Sequence, residues 1–181
     1  MNLIKHIPNT ITCLNLFSGC MSIVAAIGGD LRTAFIWIVG AAIFDFMDGF
    51  AARLLKAYSP MGKELDSLSD VVSFGVAPGM ILYSLFSQAA FLMNLQGCLA
   101  LLPFCAFVIP VFSGLRLAKF NIDERQTTSF IGLPVPAHAL FWGSLAYSVQ
   151  AWLPTNASWL LYGGIILACL TSYLLVSEIP M

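Results

Sequence analysis

Residues 45–70 read DFMDGFAARLLKAYSPMGKELDSLSD, and the interpretation of the whole sequence begins with this acidic stretch. It contains four Asp in two pairs: Asp45 and Asp48 are spaced i,i+3, and Asp66 and Asp70 are spaced i,i+4. Either spacing places both carboxylates of a pair on one face of a helix. The segment between the pairs is basic and contains Ser-Pro and Gly, which are typical of a turn. The stretch therefore predicts two consecutive helices with acidic faces.

The composition of the chain is that of an integral membrane protein. Of 181 residues, 59% are hydrophobic and only 9% are charged, with a mean hydropathy of +0.88, whereas about 25% of residues are charged in soluble domains. We predict an all-α fold that forms one transmembrane domain over residues 1–181. Its six expected helices are Thr10–Ile27, Thr33–Ala57, Leu65–Phe86, Leu95–Lys119, Val135–Leu153 and Trp159–Val176.

The remaining composition excludes several classes of protein. A net charge of -1 with few basic residues gives no basis for nucleic-acid binding. The five cysteines lie in apolar segments without a CxxC motif or a Cys/His group, so neither a disulfide framework nor a zinc site is expected. These cysteines are Cys13, Cys20, Cys98, Cys105 and Cys169.

The distribution of basic residues predicts the orientation in the membrane. With six helices, seven of the eight basic residues fall on one side, and only Arg32 falls on the other. The positive-inside rule places that side, with both termini and the acidic stretch, in the cytoplasm, as expected for a multi-pass protein of the cell (inner) membrane. The seven residues are Lys5, Arg53, Lys56, Lys63, Arg116, Lys119 and Arg125.

The depth of the acids indicates a polar cleft. Twelve residues separate the start of the second helix from Asp45, which corresponds to ~18 Å of helix in a hydrocarbon core of ~30 Å. Asp45 is therefore expected well inside the membrane. Only a cleft open to the cytoplasm would give it contact with water.

Four carboxylates at one membrane site require neutralising cations. A structural role, such as a hydrogen bond between helices or pairing with a nearby Arg, explains a single intramembrane Asp as well as a functional role does. Four acids in a low-dielectric site repel one another, and two divalent ions would balance their charge. Oxygen ligands without Cys or His favour Mg²⁺, Mn²⁺ or Ca²⁺ over zinc. A pair of such ions suits phosphoryl transfer.

Small residues follow the first acidic pair. Gly49 and Ala52 share a helix face with Asp45, so that a ligand could lie against the backbone, although close helix packing explains the two small residues as well. Arg53 could pair with a phosphate or with a carboxylate, or extend to the membrane interface.

The spacing of these residues resembles the signature of the CDP-alcohol phosphotransferase family, DxxDGxxARx8GxxxDxxxD. All eight fixed positions match without a gap, from Asp45 through Gly62 to Asp70. The resemblance implies a six-helix membrane fold that is usually dimeric. It also implies a CDP-linked donor bound above two metal ions, Mg²⁺ or Mn²⁺, in a cavity that faces the cytoplasm.

The resemblance also implies a role for each matched residue. Asp45, Asp48 and Asp66 would be metal ligands, and Asp70 would belong to the same metal site and also act as the general base. The segment Pro8-Asn9-xx-Thr12 is similar to the PNxxT segment at the nucleotide pocket of the family. The implied CDP contacts are Asn9, Thr12, Asp45, Gly49, Ala52, Arg53 and Gly62.

Three further segments resemble the phosphatidylserine synthase branch of the family: residues 69–78, 116–121 and 130–137. This branch uses CDP-diacylglycerol and L-serine. Serine carries a carboxylate and an ammonium, so its site needs a cation and an acceptor, and Arg116, Lys119 and Asn121 could supply them. Ordinary basic flanking of a membrane helix explains these residues equally well.

Two alternatives remain open at this point. Glycerol 3-phosphate or an inositol phosphate could replace serine as the acceptor, and such an acceptor would need a denser basic pocket. The acids could instead line the ion pathway of a divalent-cation transporter, which would leave the spacing of the small residues unexplained. Phosphatidylserine synthases of this type often continue past a Ser-Glu-Ile-Pro-like segment, so an extension beyond Met181 also stays open.

Overall fold

The computed structural model describes residues 6–122 and 133–177. Lys5, Arg125 and residues 130–132, which entered the predictions above, lie outside the described residues. The described part of the chain is helical and contains no strand. Its helices are α1 Ile7–Ile27, α2 Leu31–Leu54, α3 Pro60–Asp70, α4 Ala77–Leu92, α5 Val108–Ile122, α6 Val135–Val149 and α7 Leu153–Val176.

Shorter helical segments join some of these helices. A π-helical segment, Val71–Val76, connects α3 to α4 without a break, so both belong to one long helical stretch. A 3₁₀ segment, Gly97–Phe107, leads into α5, and a 3₁₀ turn, Gln150–Trp152, separates α6 from α7.

Five helical stretches in the described residues are long and apolar enough to cross a membrane, which makes this a multi-pass membrane protein. They are Ile7–Ile27, Leu31–Leu54, Pro60–Leu92, Gly97–Asn121 and Val135–Val176. The fifth has 42 residues, or ~63 Å if it were straight, which is about twice the hydrocarbon thickness of a bilayer.

This fifth stretch folds back on itself. His138 Nε2 lies 3.0 Å from Thr171 Oγ1, although the two residues are 33 positions apart and a straight helix would separate them by ~50 Å. The chain therefore reverses at the 3₁₀ turn Gln150–Trp152 and the start of α7, where Asn156 has non-helical backbone angles. Counting α6 and α7 separately gives six helical passes over residues 6–122 and 133–177, which is compatible with the six predicted helices.

The boundaries near the acidic stretch differ from the prediction for local reasons. Helix α2 ends at Leu54 rather than near Ala57, and Lys56 then adopts a positive φ of 49°. Helix α3 begins at Pro60 rather than Leu65. The Ser59 hydroxyl accepts a hydrogen bond from the Gly62 N–H at 3.0 Å, and proline is well tolerated in the first turn.

The helical stretch that carries Asp66 and Asp70 is the central one. Within its most apolar 18 residues, 56% are buried, compared with 22–33% in the corresponding segments of the other four stretches. Close approach of the helices depends on small residues: a Cβ on Gly19 of α1 would overlap the side chain and backbone of Ser73. The part of this stretch that follows the second acidic pair is thus packed among neighbouring helices.

Candidate active site

The acid-bearing helices meet the first half of α1. The Ser69 hydroxyl donates to the carbonyl oxygen of Thr12 at 3.2 Å, and the Ser73 hydroxyl donates to that of Asn15 at 3.0 Å. All four residues are buried. These two contacts fix α1 against α3 and the π-helical segment in a defined register.

Three of the four predicted acids form a compact group. Carboxylate oxygens of Asp45, Asp48 and Asp66 all lie within 4.8 Å of one another, and Asp48 is only 6% exposed. Asp48 Oδ2 and Asp66 Oδ1 are buried and have no hydrogen-bond partner among the described residues. Because unpaired buried carboxylate oxygens are costly and repel one another, this oxygen-only group fits a hard divalent cation.

Asp70 lies at the edge of this group. Its carboxyl interacts with that of Asp45, and its Oδ1 accepts a hydrogen bond from Asn15 Nδ2 at 3.3 Å. It is not one of the three residues whose oxygens lie together. The structure thus places Asp70 beside the acids, with a neutral amide as its neighbour.

A cavity of about 200 Å³ opens next to the acids. Five of the predicted CDP contacts line it, together with Asp48 and Asp66, whereas the predicted contacts Asp45 and Arg53 do not. The five are Asn9, Thr12, Gly49, Ala52 and Gly62. The structure therefore brings residues from three helices to one concave surface that adjoins the acidic group.

The turn between α2 and α3 contributes lining residues that the sequence interpretation missed. They are Ala57, Tyr58 and Ser59, and Lys63 joins them from the first residues of α3. Their position between the two acidic pairs was a usable signal, since a turn that joins two site helices must border the site. Lys63 adds a positive charge to this wall of the cavity.

Gly62 has a steric reason to be glycine. A Cβ at this position would lie 3.0 Å from both Asn9 Oδ1 and Ser59 Oγ, which is closer than ordinary side-chain contacts. A Cβ on Gly49 would only meet the Arg53 guanidinium at 3.9 Å. The absence of a side chain at Gly49 is therefore not required by the described protein atoms, and it leaves room for a ligand.

Arg53 folds back along α2. Its Nε donates to the carbonyl oxygen of Gly49 at 3.0 Å, and the side chain is exposed. The guanidinium is thereby held near the glycine that lines the cavity.

The predicted acceptor residues lie at the end of α5. Arg116 is 8% exposed, with its guanidinium carbon 5.4 Å from the centre of the Phe120 ring. Lys119 is half-buried. Asn121 Nδ2 donates to Ser67 Oγ at 2.9 Å, and Ser67 directly follows Asp66. This end of α5 therefore contacts the helix of the second acidic pair.

A larger cavity of about 780 Å³ lies at the opposite end of the bundle, between the α1–α2 turn, α4 and the start of α7. No carboxylate, Lys, Arg or His is among its lining residues. It lacks the groups that metal or phosphate binding would need, so the smaller acidic cavity is the candidate active site.

Comparison with known proteins agrees with this geometry. The family model described as CDP-alcohol phosphatidyltransferase matches residues 5–171. The chain belongs to the CDP-alcohol phosphatidyltransferase family. The matched region includes the acidic stretch and most of the bundle, so the predicted family resemblance is confirmed, and the protein is an enzyme of this transferase class.

Similar members of the CDP-alcohol phosphatidyltransferase family come from bacteria and archaea. The CDP-diacylglycerol–serine O-phosphatidyltransferase of Bacillus subtilis (strain 168) is 36% identical over 178 residues, which cover 97% of this chain and 89% of the relative. The protein of the same name from Methanocaldococcus jannaschii is 36% identical, with 96% and 72% covered. The archaetidylserine synthase of Methanothermobacter thermautotrophicus is 38% identical, with 74% and 54% covered.

Proposed function

We propose that this protein transfers the phosphatidyl group of CDP-diacylglycerol to the hydroxyl of L-serine, which gives phosphatidylserine and CMP. The observation that carries the proposal is the acidic group of Asp45, Asp48 and Asp66 at a cavity lined by the small residues of the family signature. The names of the three relatives described above refer to serine, which supports this choice of acceptor.

The acids are proposed to hold two divalent ions, Mg²⁺ or Mn²⁺, with Ca²⁺ as a further candidate. Asp45, Asp48 and Asp66 would be the main ligands, with Asp70 beside them. The unpaired buried oxygens of Asp48 and Asp66 support this assignment, because the protein itself leaves them without a donor. When bound, such ions neutralise negative charge on a diphosphate.

The cavity next to the acids is proposed to receive the CDP moiety. Gly49 and Ala52 present a helix face without bulky side chains, and Asn9 and Thr12 offer polar groups from α1. Arg53 and Lys63 would pair with the phosphates, which suits their charge. The diacylglycerol part would extend into lipid.

Asp70 is proposed to act as the general base. Its carboxylate would take the proton of the serine hydroxyl, and the serine oxygen would form a bond to the phosphorus that carries diacylglycerol. The bond between this phosphorus and the oxygen of CMP would break, so that CMP leaves with the bonding electrons. A half-buried position at the edge of the acidic group suits this role, because a general base must lie within hydrogen-bond reach of the hydroxyl.

The acceptor is proposed to bind between α3 and the end of α5. Arg116 would attract the carboxylate of serine, and Lys119 and Asn121 would complete the site. The hydrogen bond from Asn121 to Ser67 supports this placement, because it holds the end of α5 against the acid-bearing helix.

We propose that the enzyme is a homodimer of the cell (inner) membrane with this site on the cytoplasmic side. Five basic residues of the described chain lie at the end of the bundle that carries the site, and Arg32 lies at the other end. The five are Arg53, Lys56, Lys63, Arg116 and Lys119. This asymmetry supports the orientation by the positive-inside rule.

The test is release of CMP by the purified enzyme in phospholipid vesicles. CDP-diacylglycerol is supplied with Mg²⁺ or Mn²⁺ and with serine, glycerol 3-phosphate or an inositol phosphate. We expect release of CMP, together with formation of phosphatidylserine, only when serine is the acceptor. CMP with a different acceptor would overturn the serine assignment. No CMP with any acceptor, combined with cation uptake by the vesicles, would favour a transporter.

A further inference from the structure

Asn15 occupies a position that the family signature does not explain. It lies on α1 and is completely buried, and its Nδ2 donates to Asp70 Oδ1 at 3.3 Å across 55 positions of sequence. Among the described residues, no other side-chain amide donates a hydrogen bond to Asp70. A neutral donor therefore reaches the edge of the acidic group from a different helix.

The backbone around Asn15 is held firmly against the helix that carries Asp70. One turn earlier, the carbonyl of Thr12 accepts from Ser69, and the carbonyl of Asn15 itself accepts from Ser73. One turn later, Gly19 packs so closely on Ser73 that a Cβ would not fit. Contacts on both sides of Asn15 therefore fix where its amide lies relative to Asp70.

The side-chain amide of Asn15 also lowers stability in a way that an apolar side chain would not. Asn15 Oδ1 is buried and has no hydrogen-bond partner among the described residues. An unpaired buried acceptor weakens a fold, whereas a leucine of similar size would fill the same space without this penalty. The contact of Nδ2 with Asp70 is the one feature here that only the amide provides.

We propose that Asn15 is the positioning residue of Asp70. By donating to Oδ1, the amide holds the carboxyl in one orientation beside the acids and leaves its remaining acceptor sites for the substrate hydroxyl. A neutral donor suits this place because a Lys or Arg would add a charge that competes with cations for the carboxylates. This inference rests on the proposed function, in which Asp70 is the base.

A positioning role predicts a loss in turnover with binding preserved. In Asn15→Leu the donor is removed at similar size, and in Asn15→Asp the shape is kept but the donor is replaced by an acceptor. We expect kcat for CMP release to fall at least about 10-fold in both variants, because small errors in the orientation of a base are costly. The KM for serine and the dissociation constant of CDP, measured on the same vesicles, should stay within about twofold of wild type.

Ser22→Ala is the matched control. Ser22 is also buried on α1 and donates a hydrogen bond, to the carbonyl of Ala34 at 2.8 Å, but it lies away from the acids. We expect this variant to lower the thermal midpoint with kcat within about twofold of wild type. A loss of CDP affinity in the Asn15 variants in parallel with kcat would assign Asn15 a structural role and overturn the proposal, and so would an unchanged kcat.

The two proposals fail in different measurements. The acceptor that supports CMP release by the wild-type enzyme tests the proposed function. The ratio of kcat between the Asn15 variants and wild type, measured with whichever acceptor is active, tests the positioning role.

Discussion

Asn121 Nδ2 donates a hydrogen bond to Ser67 Oγ at 2.9 Å, which joins the end of α5 to the acid-bearing helix α3. The two residues are 54 positions apart in sequence. Because Ser67 lies between Asp66 and Asp70, this contact places the proposed acceptor residues at the end of α5 next to the second acidic pair.

Replacement of Asn121 tests the acceptor side. In Asn121→Leu the link to Ser67 is lost, and we expect the KM for serine to rise about 10-fold, since about 1.4 kcal/mol corresponds to one factor of ten. CDP affinity should not change. Ser67→Ala removes the same hydrogen bond but keeps the Asn121 amide. A smaller rise in the KM for serine in this control would show that the Asn121 amide itself contacts serine. An equal rise in KM in the two variants would show that Asn121 acts only by holding α5 against α3.

Replacement of Asp70 tests the base. Asp70→Asn keeps the shape of the side chain but cannot accept the proton, so we expect kcat to fall at least about 100-fold. CDP binding and the thermal midpoint should remain close to wild type. Turnover at the wild-type rate would remove Asp70 from the mechanism.

Removal of metal tests the acidic group. We expect Mg²⁺ or Mn²⁺ to raise the thermal midpoint of the wild-type protein, because ion binding would relieve repulsion among the clustered carboxylates, two of whose buried oxygens have no hydrogen-bond partner among the described residues. Excess EDTA should reverse this rise and stop CMP release. In Asp48→Asn the rise should be largely lost. Equal stabilisation of this variant by the ions would place the cation elsewhere.

Gly62 tests the steric fit of the cavity. A methyl group in Gly62→Ala would crowd Asn9 and Ser59, so we expect CDP to bind about 10-fold more weakly, a loss of about 1.4 kcal/mol. Gly114→Ala is the matched control, because a Cβ at this helical glycine meets no atom of the described residues within 4 Å. Its CDP affinity should equal that of wild type. Equal CDP affinity of the two variants would show that Gly62 is not needed for nucleotide binding.

The contact between α6 and α7 tests the reversal of the chain. Trp142 Nε1 donates to His138 Nε2 at 3.0 Å, and Thr171 lies 3.0 Å from the same histidine nitrogen. Thr171→Val removes the hydroxyl at nearly constant volume, and we expect a loss of about 1 kcal/mol in stability, seen as a lower thermal midpoint. The KM values should not change. An unaltered thermal midpoint would mean that packing alone holds the two helices together.

Much of the site could be predicted because its residues follow local rules. The spacing of Asp45 from Asp48 and of Asp66 from Asp70 fixes their helix faces whatever surrounds them, since helices repeat every 3.6 residues. The apolar composition likewise requires helices, because lipid offers no partner for the backbone. Both predictions hold in the structure.

The contacts between helices could not be predicted from such local rules. The hydrogen bond from Asn15 to Asp70 does not follow from any spacing in the sequence. The reversal between α6 and α7 also needed a contact, that of His138 with Thr171. Each of these depends on residues that are distant in sequence and close only after the helices have packed.

The sequence by itself determined that the protein is an all-α membrane protein with two acidic helix faces, because composition and helical periodicity act locally. The fixed spacing of the signature residues added the resemblance to a family of enzymes. Only the tertiary structure decided which carboxylates share one site. It gathers Asp45, Asp48 and Asp66 and leaves Asp70 beside Asn15. The physical reason is that packing at small residues such as Gly19 sets the register of α1 against the acid-bearing helix, and no local periodicity encodes that register.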